Sequence, residues 1–198
     1  MLLYDNPFSG NCYKVRTILA LLGIEHERRQ MSVVDYSERI EVLGGLSPSL
    51  NLPTVVLDDG RPLAESNAIL WYFAEGSRYL PDDPYERAQV LQWMFFEQYK
   101  HEPGIAVVRF WVAMAENPPP AEEIEGRRRE GIAALKIMER HLRKREYFVG
   151  ESFTIADIAL YAYTHVAPEG GFDLEPLPAV RAWLDRVAAE PGLIPIDD

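Results

Sequence analysis

The chain of 198 residues has a single cysteine, Cys12, and few basic groups. One cysteine excludes an internal disulfide, a cysteine-based zinc cluster and any exchange chemistry that needs two protein thiols. His26, His141 and His165 lack metal-ligand spacing, so no metal is expected. Twenty lysines and arginines stand against 31 acids, a formal net charge of −11. No basic stripe interrupts that balance, which argues against nucleic acid and anionic membrane as partners. No window approaches the roughly 20 apolar residues that span a bilayer. The first residues show no charged segment followed by a long apolar run, and a cytoplasmic enzyme is the easiest fit. Internal repeats and low-complexity segments are also missing.

What is present is ordinary for a folded protein, 47% hydrophobic and 26% charged, with enough length for one sizeable core or two small ones. Leu2-Leu3-Tyr4 reads as a short buried strand. From Asn11 the pattern turns helical, with Val15, Ile18, Leu19 and Leu22 on one face and Gly23 as the stop. A partly exposed strand from Ile24 through Met31, a short helix from Tyr36 to Leu43 and a loop from Leu46 to Leu52 follow, the loop punctuated by Pro48 and Pro53. Thr54 to Leu57 is a β-branched strand, Asp58-Asp59-Gly60 a turn and Arg61 to Ala64 an edge strand. Ser66 is the expected cap of a helix to about Glu75.

Residues 1–76 therefore read β-α-β-α-β-β-α, a compact α/β unit. Residues 77–84, with Pro81, Pro84 and acidic neighbours, read as a linker. Residues 85–198 read as all-helical: Tyr85 to about Glu116, Ala121 to about Lys144, Thr154 to about Val166 and Leu177 to Glu190. Pro103-Gly104 is expected to kink or break the first of these. The predicted fold class is α/β plus all-α.

The chemistry concentrates at two helix starts. Such ends present unpaired N–H groups and a partial positive charge, suited to an anion or a thiolate. At the first, Ser9 either caps the helix or donates its hydroxyl to a bound thiolate, lowering a thiol pKa from about 8.5 toward neutrality. Asn11 can donate its amide to the same sulfur or fix the loop. Cys12, one residue further in, suits a small core-facing side chain. At the second start, Glu65 offers a carboxylate to an ammonium, and Ser66 its hydroxyl and N–H to a carboxylate. Pro53 is either an ordinary proline ahead of a strand or a cis peptide that presents the Leu52 backbone to an extended ligand. The three places together suit a short peptide thiol.

These residues carry a resemblance. The segment Leu3 to Arg16, the runs Leu52-Pro53-Thr54-Val55, Leu57-Asp58-Asp59-Gly60 and Glu65-Ser66-Asn67-Ala68-Ile69, and Phe153-Thr154-Ile155-Ala156-Asp157-Ile158-Ala159 together resemble a bacterial glutathione transferase of the cytosolic superfamily. The likeness covers essentially the whole chain. It implies a thioredoxin-like domain followed by an all-helical domain that contributes a second-substrate pocket. It further implies cis-Pro53, glutathione as cosubstrate held by Leu52, Pro53, Glu65 and Ser66, and catalysis by Ser9 with Asn11. Ser9 is similar to the serine that stabilises the thiolate in serine-type members, while Ser9 with Asn11 resembles the threonine and asparagine of the disulfide-reductase, nu-like branch. The run before the proline, Leu46 to Asn51, lacks the lysine the family commonly places there, which implies either weaker glutathione binding or a partner for the glycyl carboxylate from elsewhere.

The leading expectation is thus a glutathione transferase that attacks a small apolar electrophile, working as a homodimer. A glutathione-dependent disulfide or peroxide reductase is the alternative within enzymes, and a non-catalytic binding protein on the same fold the alternative outside them. Phe8, Phe95, Phe96, Tyr99, Phe110 and Trp111 supply aromatic surface for the core or an apolar cleft, with Arg109 and His101 as candidate polar neighbours. Thr154 with Asp157 reads as a capping box, a stability element without chemistry.

Overall fold

The computed structural model describes residues 1–198. The chain divides into two compact units: residues 1–77 together with 191–198, and residues 78–190. Residues 191–198, expected from the sequence to belong with the helical domain, group with the first unit. Their carbonyls accept hydrogen bonds from side chains of the first unit.

The first unit follows the expected order: β1 (Leu2–Asp5), α1 (Gly10–Leu21), β2 (Glu27–Gln30), α2 (Tyr36–Leu43), β3 (Thr54–Val56), β4 (Pro62–Ala64) and α3 (Ser66–Ala74). The strands form one sheet in the order β2-β1-β3-β4, with β1 parallel to β2 and antiparallel to β3, and β3 antiparallel to β4. The β1–β3 register pairs Tyr4 with Thr54, so the chain leaving β1 toward Ser9 lies beside the chain entering β3 from Pro53. β2 is the exposed edge, and Glu-Arg-Arg-Gln matches a strand that must resist further pairing. Helices α1 and α3 pack together. Leu3, Val15, Ile18, Leu19, Val55, Ile69 and Leu70 are fully buried. Burial of α1 exceeds the expected single face, since Lys14, Arg16 and Thr17 are enclosed as well.

The second unit contains α4 (Pro84–Phe96), α5 (Glu102–Ala113), α6 (Ala121–Leu142), α7 (Ile155–Thr164) and α8 (Pro178–Ala188). Pro103 does not break the first helical stretch. A π-helical turn over Glu97–His101 precedes it, with the Glu102 N–H bonded to the Glu97 carbonyl. That wider turn absorbs the hydrogen bond a proline cannot donate, so the chain stays helical into α5. α5 and α6 cross at two glycines, where a Cβ on Gly104 would lie 2.5 Å from Gly131 N. The Thr154–Asp157 cap is present: Asp157 accepts from the Thr154 N–H at 3.0 Å, and the Thr154 hydroxyl accepts from the Ala156 N–H at 3.3 Å. Asp157 also accepts from the Phe148 N–H at 3.1 Å and Trp183 Nε1 at 2.9 Å, tying α7 to a preceding turn and to α8. No helix is long and apolar enough to cross a membrane.

Candidate active site at two helix starts

Ser9 takes extended backbone angles (φ −81°, ψ 120°) ahead of α1, and its Oγ accepts from the Cys12 N–H at 3.3 Å. Capping and thiolate donation are therefore compatible, because the cap uses an oxygen lone pair and leaves the hydroxyl proton for another acceptor. The protein group within reach of that proton is the neutral Cys12 thiol, a weak acceptor, and Ser9 is only half-buried. The loop in front of it is braced at Asn6. Its Nδ2 donates to the Met31 carbonyl at 2.9 Å, its Oδ1 accepts from the Phe8 N–H at 3.0 Å, and its carbonyl accepts from the Ser9 N–H at 3.2 Å.

Asn11, in the first turn of α1, reaches across to α3. Its Oδ1 accepts from Lys14 Nζ at 2.8 Å and from Ser66 Oγ at 3.2 Å, and Lys14 Nζ lies 3.4 Å from Ser66 Oγ. An ammonium only donates, so the atom facing Lys14 is the amide oxygen, and the Nδ2–H₂ group is turned away from it. Lys14 is fully buried. Reading the sequence alone missed it, because a lysine amid apolar residues on a surface helix gives no sign of pointing inward. The one available signal was its i, i+3 spacing from Asn11.

Ser66 is not the α3 cap. Glu65 holds that position with φ 69° and ψ 112°, and its carbonyl accepts the first helical bond from Ile69 N–H at 3.0 Å. Ser66 is then the first helical residue, and its hydroxyl is free to turn inward to Asn11. A left-handed φ on glutamate costs on the order of 1–3 kcal/mol and gathers at functional positions. The Glu65 side chain is exposed and accepts from Ser49 Oγ at 3.3 Å. Facing it in the sheet region, the Leu52–Pro53 peptide is cis, and Leu52 makes no backbone hydrogen bond within the chain.

The cation sought near residues 46–52 is structural. Arg39, from α2, donates to the Leu50 carbonyl at 3.3 Å and to the Val33 carbonyl, and lies over the Tyr36 ring. It braces the loop from behind. Cys12 packs with Tyr4, Met31, Leu43 and Leu52, and burial, with Asp5 nearby, pushes its thiol up to about 12. It is a core residue. Of the aromatic candidates, Phe8, Phe95 and Tyr99 are exposed and not core. His101 is buried against Thr164 Oγ1 at 2.8 Å, and Arg109 pairs with Glu169 at 2.7 Å.

A thioredoxin-like sheet with a cis-proline edge, a serine at the first helix start and a serine-glutamate pair at another, followed in the chain by an all-helical unit, defines a thiol-peptide-binding protein class. Comparison with known proteins narrows it. Residues 8–75 match the glutathione S-transferase N-terminal domain, and residues 96–191 match the C-terminal domain. A glutathione S-transferase crystal structure from Pseudomonas fluorescens is 46% identical, covers 100% of this chain and 98% of its own, and superposes with a TM-score of 0.95. Glutathione S-transferase U22 of Arabidopsis thaliana is 32% identical over 81% of this chain and 69% of its own length. The disulfide-bond oxidoreductase YfcG of Escherichia coli is 30% identical over 74% of this chain and 71% of its own. The chain belongs to the glutathione S-transferase family of transferase enzymes.

Proposed function

We propose that the protein binds glutathione across the starts of α1 and α3 and transfers it to a small hydrophobic electrophile. The observation that carries this reading is Ser9 Oγ, which accepts the Cys12 N–H through a lone pair and can turn its own proton from the neutral Cys12 thiol to the stronger acceptor, a glutathione thiolate. That donor and the α1 dipole favour thiolate over thiol. The thiolate attacks the electrophilic carbon, a C–S bond forms, and the displaced group leaves with the bonding pair or a proton completes the adduct. Asn11 supplies a second donor, its oxygen held by Lys14 and Ser66. Leu52 offers its unpaired backbone to the peptide, Glu65 receives the ammonium, and the Ser66 N–H with the α3 start receives the neighbouring carboxylate.

The test is titration of bound glutathione, following thiolate absorbance against pH in wild type and Ser9→Ala. A bound thiol pKa well below its free value, restored toward that value in Ser9→Ala, supports the reading. An unchanged pKa in the variant moves activation to Asn11. Absence of binding favours a non-catalytic protein. Because Ser9→Ala also removes a cap worth about 1 kcal/mol, thermal unfolding is measured beside it. Ser9 with Asn11 and the likeness to the E. coli oxidoreductase favour disulfide reduction as a second reading. Turnover of a glutathione mixed disulfide, with none of an aryl halide, would select it. A homodimer is proposed for the same protein, supported by exposed Leu91, Phe95 and Tyr99 on α4 and the π turn. Light scattering should then give twice the 22.6 kDa chain mass.

A further inference from the structure

Residues 191–198 return to the unit that carries Ser9 and bind it through their carbonyls. Tyr13 Oη donates to the Ile194 carbonyl at 2.8 Å, Arg16 Nη2 to the Ile196 carbonyl, and Arg28 Nη2 to the Asp198 carbonyl at 2.8 Å. Arg16 is where this segment meets the loop in front of Ser9. Its Nη1 donates to Asp5 Oδ1 at 2.6 Å and to the Asn6 carbonyl at 3.2 Å, and its Nη2 donates to the Pro7 carbonyl at 3.2 Å. The Asn6 carbonyl is also the acceptor for the Ser9 N–H. One oxygen therefore joins the Arg16 fork to the backbone of Ser9.

Asp5 is fully buried and closes the cluster, taking Arg16 on one oxygen and Arg28 on the other. Both arginines also grip residues 191–198, so the segment and the loop share one charge cluster, buried at Asp5 and Arg16 and exposed at Arg28. A planar guanidinium can serve four acceptors from two nitrogens, whereas an ammonium presents a single centre. A buried donor that loses its acceptor keeps its desolvation cost, so removing the Ile196 carbonyl drives Arg16 to seek another partner. The nearest acceptors left to it are the loop carbonyls it already holds.

We propose that Arg16 is a positioning residue for Ser9, and that residues 191–198 form a strap completing its grip on the loop. The inference rests on the function proposed above, in which Ser9 Oγ must meet the glutathione sulfur. Misplacement by about 1 Å can cost on the order of a hundredfold in rate. The clamp thus sets thiolate activation without touching substrate.

Two variants test it: Arg16→Lys in the full chain, which keeps a cation beside Asp5, and a chain lacking residues 192–198. Amide exchange at Phe8 and Ser9 is followed without ligand, and the bound thiol pKa, kcat and KM with glutathione. The expected result is faster exchange at Phe8 and Ser9 in both variants, a raised thiol pKa, and a kcat lowered on the order of tenfold with KM for glutathione little changed. The shortened chain should show the smaller effects, since Asp5 still holds Arg16. Lower thermal stability with unchanged loop exchange and thiol pKa in Arg16→Lys would overturn the positioning role. The same pattern confined to the shortened chain would overturn the strap. A wild-type protein that leaves the glutathione thiol at its free value would refute the proposed function instead, and loop exchange would still decide the coupling.

Discussion

Asp157 offers the sharpest quantitative expectation. Its carboxylate is fully enclosed and accepts three N–H groups, from Thr154, Phe148 and Trp183, at 2.9–3.1 Å. Truncation in Asp157→Ala strands all three donors, each at about 1–2 kcal/mol, for a loss of roughly 4 kcal/mol. Asp157→Asn retains an oxygen for Trp183 and Phe148 but sets an amide N–H₂ against the Thr154 N–H, a loss of about 2 kcal/mol. pH then separates burial from hydrogen bonding. Burial wins over the donors and raises the carboxyl from 3.8 to about 6. A raised carboxyl binds its proton more tightly in the folded state, so its contribution is fully present below the unfolded value. It is lost as pH rises through about 6, in total about 3 kcal/mol. Between about pH 5.5 and about pH 7.5 the advantage of wild type over Asp157→Asn should narrow by roughly 1 kcal/mol. Urea unfolding followed by far-ultraviolet circular dichroism measures both. A gap that widens with pH over that window would show the anion to be the favoured form, and the reasoning would fail.

Other expectations follow from close contacts. Gly104→Ala would place a Cβ 2.5 Å from Gly131 N, backbone that cannot step aside. The melting temperature should fall by several degrees for an overpacking cost of about 1–3 kcal/mol. Cys12, fully buried and with its thiol pushed up to about 12, should resist an aromatic disulfide reagent in the native protein and react once denaturant is added. Rapid native labelling would contradict its core placement.

Local patterns in the sequence were enough for the element order of the first unit. The helical run from Tyr36 to Leu43 marks α2, and Thr54-Val55-Val56 marks β3, because propensity and pattern agree there. The Thr154–Asp157 cap was legible for the same reason, its partners lying three residues apart. Its further duty toward Trp183 was not, since 26 residues separate acceptor and donor. Pro103-Gly104 marks an irregularity in its helical stretch, a kink or a break, and the π turn that precedes it, which no residue type announces, keeps the chain helical.

The candidate site divides along the same line. Ser9, Pro53 and Glu65 stand out because a cap position, a proline before a strand and a serine-glutamate pair are readable in a few residues. Ser66 was placed one position wrong in its helix because Glu65 adopts a backbone angle that its residue type disfavours. Its true orientation depends on Asn11 and Lys14, more than 50 residues earlier. Glu139 shows the principle away from the site. Leu177 gives α8 no side-chain cap, and Glu139 of α6 accepts the Ala179 and Val180 N–H groups at 2.9 and 3.0 Å instead. A helix start whose own sequence supplies no acceptor must find one through tertiary contact or leave it for a ligand. α8 finds Glu139. At α3 no side chain caps the start, and Ser66 turns its hydroxyl away to Asn11, so the Ser66 backbone N–H remains for an anion. That contrast between two uncapped helices, one served from within the protein and one not, supports placing the substrate carboxylate at α3.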